Sequence, residues 1–497
     1  MPTSDKPDLD SLKHSVAHGA AWMVGMRWTI RSIGLVNTII IARLLVPEDF
    51  GLVAMATVVI GLLDAVTDPN VDFSLIRNRA VGRLHYDSAW TLQVISGWVK
   101  SGLLIGIAPL LAAYYGDPRI ATITYIIALR PAIESFENIG QVNFRRDLQF
   151  DKDFRYWVYR RLLTFLMTIG IVWWLRNYLA LAIASPISGA VTVLLSYVMS
   201  AYRPRFSTHY VGEIWRFSKW WMILAFMQFF GGRGEAFILG GLTTPQVIGA
   251  YTVGGDLSAH LTQDVVLPVG RALVPSYAKI SENPAQLLRA FQLSFGLLVT
   301  FSLAAGVGTS LVAKDLVVAL LGTKWLNAIP FVQSLAIHGA FWSIVQSMQP
   351  YFLVTQREKL FASCNTAYVA VLIPVIVTAA HVATVETVAI ARTSVTALFL
   401  VGMLGVLLKL QVFSLGPLIG LLWRSVIATS VMALCILSID LTNPPIVALG
   451  LRVATGLSVF PTVMVILWIV SGRPSGVEAA IFSLISDYIK VARHRGV

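Results

Sequence analysis

Charge is what this chain has least of. Asp, Glu, Lys and Arg make up only 13% of its 497 residues, about half the share of an ordinary soluble domain. A water-soluble molecule with so few charges and 56% hydrophobic residues could not cover its apolar surface. Cysteine is nearly missing as well. Cys364 and Cys435 stand in apolar surroundings at no metal or redox spacing and read as plain core residues. No Gly-rich phosphate loop ending in Gly-Lys-Ser/Thr occurs, so the sequence offers no ATP site of that kind. His-Glu-x-x-His, Cys-x-x-Cys and nucleophile-elbow patterns are missing too. The sequence therefore points to no catalytic residue, no metal ligands and no cofactor. No polar stretch is long enough to form a domain outside the apolar segments. Residues 1–19 lack the apolar core of a signal peptide.

What the chain does have is a succession of apolar runs. Fourteen can be counted, near residues 20–42, 50–72, 90–113, 119–139, 157–176, 178–200, 218–240, 247–270, 289–311, 328–350, 361–382, 384–407, 416–438 and 446–470. About twenty residues suffice to cross a hydrocarbon core as a helix. The expected fold is an all-α polytopic membrane protein with about 14 transmembrane helices in two pseudo-symmetric bundles. The expected organisation is a cytoplasmic lead at 1–19, a first bundle at 20–215 and a second at 216–410, then two additional helices at 411–472 and an amphipathic cytoplasmic tail at 473–497. The first helix then serves as an uncleaved signal-anchor.

The net charge of +12 would suggest nucleic acid in a soluble protein. Here it reads as positive loops held at the inner membrane face, with no nucleic-acid partner. Counting fourteen spans leaves Arg43, Arg119, Arg176, Lys314 and Lys324 on one side, while most of the 38 Lys and Arg fall with the two termini. That asymmetry puts both termini in the cytoplasm. The longest polar connection, 147–161, alternates aromatic and basic residues. It reads as a cytoplasmic segment resting on anionic lipid, with Arg160 and Arg161 as loop cations.

Charges inside spans are expensive and mark function or pairing. Arg27 and Arg31 share a face of the first span at i,i+4 spacing and suit an anionic headgroup, which guanidinium binds bidentately. They also read as side chains snorkelling to the cytoplasmic surface. Asp64 and Asp68, in the second span, are candidates to pair with them or to neutralise the path. Arg130 and Glu134 form an i,i+4 pair on the fourth span, either structural or part of a cationic cavity. Arg233 stands in the glycine-rich break Gly231-Gly232-Arg233-Gly234-Glu235. Asp256, His260 and Asp264 recur every four residues, which fits ion or proton coupling or a plain polar cavity wall. Arg392 and Arg452 are isolated cations assigned to the second bundle's cavity. The cationic set is thus Arg27, Arg31, Arg130, Arg233, Arg392 and Arg452, and the coupling set Asp64, Asp256, His260 and Asp264.

Several stretches carry a resemblance: 39–68, beginning Ile-Ile-Ile-Ala-Arg-Leu-Leu-Val-Pro-Glu-Asp-Phe-Gly; 112–120; 143–154, Asn-Phe-Arg-Arg-Asp-Leu-Gln-Phe-Asp-Lys-Asp-Phe; 273–291; and 320–339. In these the chain resembles the polysaccharide transporter branch of the multidrug/oligosaccharidyl-lipid/polysaccharide exporter superfamily. The resemblance implies two helical bundles working by alternating access. It implies a cargo of polyprenyl-pyrophosphate-linked oligosaccharide, moved across the bacterial inner membrane for exopolysaccharide, capsule or lipopolysaccharide synthesis. It also implies a cationic central cavity, a role that falls to Arg27 and Arg31, and an ion or membrane gradient as energy source. Membrane lipids, a polysaccharide polymerase and export machinery are the implied partners. A drug or small-solute antiporter of the same superfamily, a polymerase or ligase, and a non-transporting assembly component are the alternatives. The inner arginines argue against the first, and the lack of a large loop against the second.

Overall fold

The structure, a computed structural model, describes residues 9–77, 81–147, 149–216, 234–263, 266–382, 384–439 and 444–474, with residues 222, 225, 226, 229 and 479. The described elements are all helical, and the chain divides into two compact units, Met1–Thr252 and Val253–Val497. Ten helices among the described residues are long and apolar enough to cross a membrane. The protein is a multi-pass membrane protein.

Unit 1 contains α1 (Leu9–Leu44), α2 (Pro47–Thr67), α3 (Val71–Arg77), α4 (Arg83–Tyr115), α5 (Arg119–Glu134), α6 (Val142–Arg146), α7 (Phe150–Leu175), α8 (Tyr178–Met199), α9 (Gly234–Gly240) and the start of α10 (Pro245–Thr262). Of these, α2, α4, α7 and α8 are among the ten. The expected segment 20–42 is α1, and 119–139 is the sixteen-residue α5. Most of 218–240 lies outside the described residues.

Local chemistry sets the breaks. Pro47 opens α2 at the position where its missing N–H costs nothing, and Asp49 accepts a bond from the Val46 amide at 3.2 Å. Asn177 caps α8 by accepting from the Leu179 amide at 3.0 Å. At this same end Arg119 bridges Glu48 at 2.8 Å and Asp117 at 2.7 Å. The Arg119 guanidinium holds the Asp117 carboxyl below its usual range. A small apolar cluster of Ile41, Leu45, Val172 and Ala180 packs α1, α7 and α8 together there. At the other end Tyr202 donates to Asp87 at 2.7 Å and Arg146 to Tyr86 at 2.8 Å, above a cluster containing Trp90, Ile139 and Ile214.

One crossing within unit 1 is reciprocal. Helices α2 and α10 both begin Pro-x-x-x-Gly, as Pro47…Gly51 and Pro245…Gly249. A Cβ placed on Gly51 would lie 1.6 Å from the Pro245 carbonyl oxygen, and one on Gly249 would lie 1.8 Å from that of Pro47. The two backbones touch where side chains are missing, and each supplies the same two residues. This contact is a sign of internal pseudo-symmetry.

Unit 2 continues with α11 (Val266–Lys279), α12 (Pro284–Leu311), α13 (Ala313–Leu320), α14 (Ile329–Gln346), α15 (Gln349–Val354), α16 (Glu358–Val382), α17 (Val385–Lys409), α18 (Leu415–Leu437) and α19 (Pro445–Val470). Its main core is aromatic: Tyr277, Phe291, Phe295, Phe352, Phe361 and Phe413 are buried, with Tyr351 stacked on Phe291 at 4.4 Å. A buried polar row crosses it, in which Thr396 meets His338 at 2.9 Å and Tyr368 at 3.0 Å. Buried hydroxyls and imidazoles in a membrane core need such partners.

Candidate functional site

A cavity of about 470 Å³ opens among α1, α2, α5, α7 and α8. Its volume falls in the range of small-ligand sites, about 300–1,000 Å³. Helix α7 supplies the largest share through Trp157, Arg160, Arg161, Thr164, Phe165 and Thr168. These recur at three- and four-residue spacing and so lie on one helix face. Leu181, Ala184, Ser185, Ser188 and Thr192 do the same on α8. Ile30 and Asn37 come from α1, Val53 and Thr57 from α2, and Ile127 and Arg130 from α5.

The sequence reading placed Arg160 and Arg161 in a polar connection at the membrane surface. The structure corrects this. Helix α7 starts at Phe150 and runs unbroken into the apolar stretch. Arg161 stands eleven residues in, about 16 Å along the axis at 1.5 Å per residue. Of 150–161, Trp157, Arg160 and Arg161 face the cavity, on a helix long and apolar enough to cross a membrane.

Two of the three arginines are paired. Glu134 accepts from Arg130 Nε at 2.9 Å and from Arg160 Nη2 at 2.5 Å. Glu137 lies 3.6 Å from Arg160 Nη1 and accepts a bond from the Tyr156 hydroxyl. Arg160 also sits 5.0 Å from the Trp157 ring centre, with Arg145 at 5.1 Å. Asp153 fixes that indole by accepting from Trp157 Nε1 at 3.1 Å and from Arg145 Nε at 3.2 Å. Arg161 is different. It makes no ion pair among the described residues, and its Nε is buried without a hydrogen-bond partner. Three guanidinium groups thus face two carboxylates, and the uncompensated one is Arg161.

The lining also offers acceptors, two of them, Thr164 and Thr168, on α7 itself. Thr57, Thr164, Thr168 and Thr192 spend their protons on backbone carbonyls of their own helices. Their oxygen lone pairs are left for the cavity. Asn37 Oδ1 is a buried acceptor with no partner. A partnerless cation together with hydroxyl and amide acceptors in one chamber suits a ligand that is both anionic and rich in hydroxyl groups.

Of the residues singled out from sequence, Arg130 lines the cavity and its pair with Glu134 is present. Arg27 and Arg31 do not line it. Arg27 shares the stripe of Ile30, Gly34 and Asn37 one turn earlier on α1, while Arg31 is rotated toward that stripe's edge. Asp64 pairs with Lys100 of α4 at 2.5 Å, rather than with the α1 arginines. Arg452, on α19, is bonded to Asp315 of α13 and to the Ile439 carbonyl at 3.1 Å. Arg392 lies in α17, also in unit 2. Asp256 and His260 share a face of α10, with Asp256 exposed. Arg233 and Asp264 lie outside the described residues. Glu235, beside Arg233 in the sequence, is buried and accepts from the Tyr251 hydroxyl at 2.7 Å.

A polytopic helical protein with a charged, hydroxyl-lined chamber among its spans has the build of a membrane transporter. Comparison with known proteins narrows that class. Residues 40–330 match the family described as polysaccharide biosynthesis protein. Lipopolysaccharide biosynthesis protein WzxC of Escherichia coli (strain K12) is 22% identical over 371 residues, covering 74% of this chain and 75% of the relative. Succinoglycan biosynthesis transport protein ExoT of Rhizobium meliloti (strain 1021) is 24% identical over 358 residues, 70% of this chain and 71% of the relative. Among solved structures, the lipid II flippase MurJ in an inward closed conformation superposes with a TM-score of 0.71 at 12% identity, covering 91% of this chain and all of that one. An inward-facing multidrug resistance transporter of the MATE family superposes at 0.62 with 13% identity, covering 83% and 98%. At those identities the likeness is one of fold. The chain belongs to the polysaccharide biosynthesis protein family.

Proposed function

We propose that the protein is a flippase that carries polyprenyl-pyrophosphate-linked oligosaccharide across the bacterial inner membrane by alternating access, with both termini in the cytoplasm. The observation that carries this reading is Arg161, a guanidinium without a counter-ion in a 470 Å³ chamber among transmembrane helices. A cation half-buried among apolar helices is costly unless something pairs with it. A pyrophosphate supplies that pairing only while cargo is bound, which makes Arg161 a binding group rather than a structural one. Arg130 and Arg160, held by Glu134, add positive potential without giving up their own partner. The hydroxyl wall and Asn37 accept bonds from sugar hydroxyls, and the polyprenyl tail stays in lipid. No covalent bond changes, so the protein is a transporter and needs no catalytic residue.

The remaining assignments belong to the same reading. Arg27 and Arg31 flank the chamber on α1, and Arg233, Arg392 and Arg452 contribute cations elsewhere. Asp64, Asp256, His260 and Asp264 couple transport to an ion gradient. The two functional bundles are 20–215 and 216–410, with 411–472 as an addition.

The test is reconstitution in liposomes with a lipid-linked oligosaccharide and a leaflet-specific readout. The parent protein moves the substrate, and Arg161→Gln loses the charged hydrogen bonds, worth about 1.5–3 kcal/mol or roughly 10- to 100-fold in apparent affinity. Undiminished transport by Arg161→Gln sinks the reading. Export of a cationic drug with no movement of the lipid-linked sugar favours the antiporter instead.

A further inference from the structure

Gly34 lies on α1 between the cavity residues Ile30 and Asn37 and on the same face. It does not appear to the cavity as a side chain, because it has none. A Cβ built on it would fall 2.6 Å from Arg161 Nη2, 3.6 Å from Cζ and 3.9 Å from Nε. The guanidinium of Arg161 therefore rests in the notch left on α1. This is the same group whose Nε has no hydrogen-bond partner.

We propose that Gly34 is the positioning residue for Arg161: the notch on α1 holds the guanidinium in the chamber in a fixed orientation, and any side chain there turns it away from the cargo's phosphate. The inference rests on the flippase reading for the identity of the anion, but the Gly34–Arg161 relation stands on geometry alone. Glycine is a poor residue for a helix interior, and alanine the best. A helix-breaking residue in the middle of a 36-residue helix is thus explained by what it leaves room for. The atom a new Cβ meets is the end of a flexible side chain, so the clash moves Arg161 and leaves the backbones of α1 and α7 in place.

That geometry separates positioning from structure. Gly34→Ala inserts in the membrane and unfolds in detergent at the same temperature as the parent or higher. Its KM for lipid-linked oligosaccharide rises about tenfold, the loss of roughly one charged hydrogen bond, while its maximal rate stays within about twofold. In an Arg161→Lys background the Nη2 atom is gone, and adding Gly34→Ala changes KM by less than about twofold. Gly34→Ser, with a similarly small side chain, repeats the result. Binding of inorganic pyrophosphate to the full-length protein in detergent is measured alongside, with the same fall expected for Gly34→Ala.

An unchanged KM and unchanged pyrophosphate affinity in Gly34→Ala overturn the proposal. An equal penalty in the Arg161→Lys background also overturns it, since Gly34 would then act through helix packing. A parent that binds pyrophosphate but moves no lipid-linked sugar refutes the flippase reading and leaves the positioning role standing if Gly34→Ala still binds more weakly. A parent that does neither overturns both.

Discussion

Arg160 and Arg161 are adjacent in sequence and differ in kind. Arg160 shares Glu134 with Arg130 at 2.5 Å and reaches Glu137 at 3.6 Å. Removing it leaves Glu134 with Arg130 alone and the buried Glu137 with only the Tyr156 hydroxyl, and breaking a fully buried pair from one side costs about 3–5 kcal/mol. Arg161→Leu removes a partnerless charge and fills the space with methyl groups. Arg160→Leu is therefore expected to lower the unfolding temperature of the purified protein markedly. Arg161→Leu is expected to leave it level or raise it, although both impair transport. Thermal unfolding in one detergent separates them, and equal destabilisation by the two would refute this division of roles. Spacing in the sequence revealed half of the network. Arg130 and Glu134, four apart on one helix, could be paired on paper. Arg160, 26 positions further on, joins them only because α5 and α7 both pack against α8, which brings the long Arg160 side chain within reach of Glu134. Asp64 shows the same limit: its partner, Lys100, comes from α4 rather than from the arginines that a helical wheel made attractive. Helical spacing reports neighbours within a helix and says nothing about which other helix lies alongside.

At the scale of elements, the crossing of α2 and α10 brings backbone against backbone. The obstacle to a side chain there is backbone, not a movable side chain. Gly51→Val would press a Cβ into the Pro245 carbonyl, which the structure places 1.6 Å away. Overpacking of this kind typically costs 1–3 kcal/mol, about 3 kcal/mol where neither side can shift. Gly102→Val is the control, since nothing lies within 4 Å of that position. The expected result is a large loss of thermal stability and folded yield for Gly51→Val and almost none for Gly102→Val. Tolerance of both would mean that the helices do not meet backbone to backbone. The helices themselves were largely legible, because long apolar runs broken by Pro47, Asn177 and Pro284 leave few options. The relation between the two Pro-x-x-x-Gly starts was not. Only two residues of a five-residue pattern are shared, too few to align two halves without seeing them touch. That Arg160 and Arg161 line a cavity was hidden for a related reason. A helix with one wet face inside a membrane and a helix lying on its surface have the same alternation of aromatic and basic residues, and only packing tells them apart.

For the whole molecule the open quantity is which way it faces. In unit 1 one end gathers the α1–α2, α4–α5 and α7–α8 connections, with Arg43, Arg119 and Arg176 as its basic residues. The other end gathers Arg83, Arg145, Arg146, Arg155, Arg203 and Arg205. The excess of basic residues predicts that the second end lies on the cytoplasmic side, because short loops rich in Lys and Arg resist translocation. Gly82 and Arg176 are both exposed, one at each end. With Cys364 and Cys435 replaced by serine, a single cysteine introduced at Arg176 is expected to react with a membrane-impermeant thiol reagent added to intact cells. One introduced at Gly82 is expected to react only after the membrane is opened. The same experiment with a cysteine at position 2 places the N-terminus with Gly82. Labelling of Gly82 from outside would reverse the protein in the membrane. Labelling of both loop positions from outside would mean that one of α4, α5 and α7 does not cross, and the chamber that α5 and α7 line could no longer serve as a path between the two leaflets.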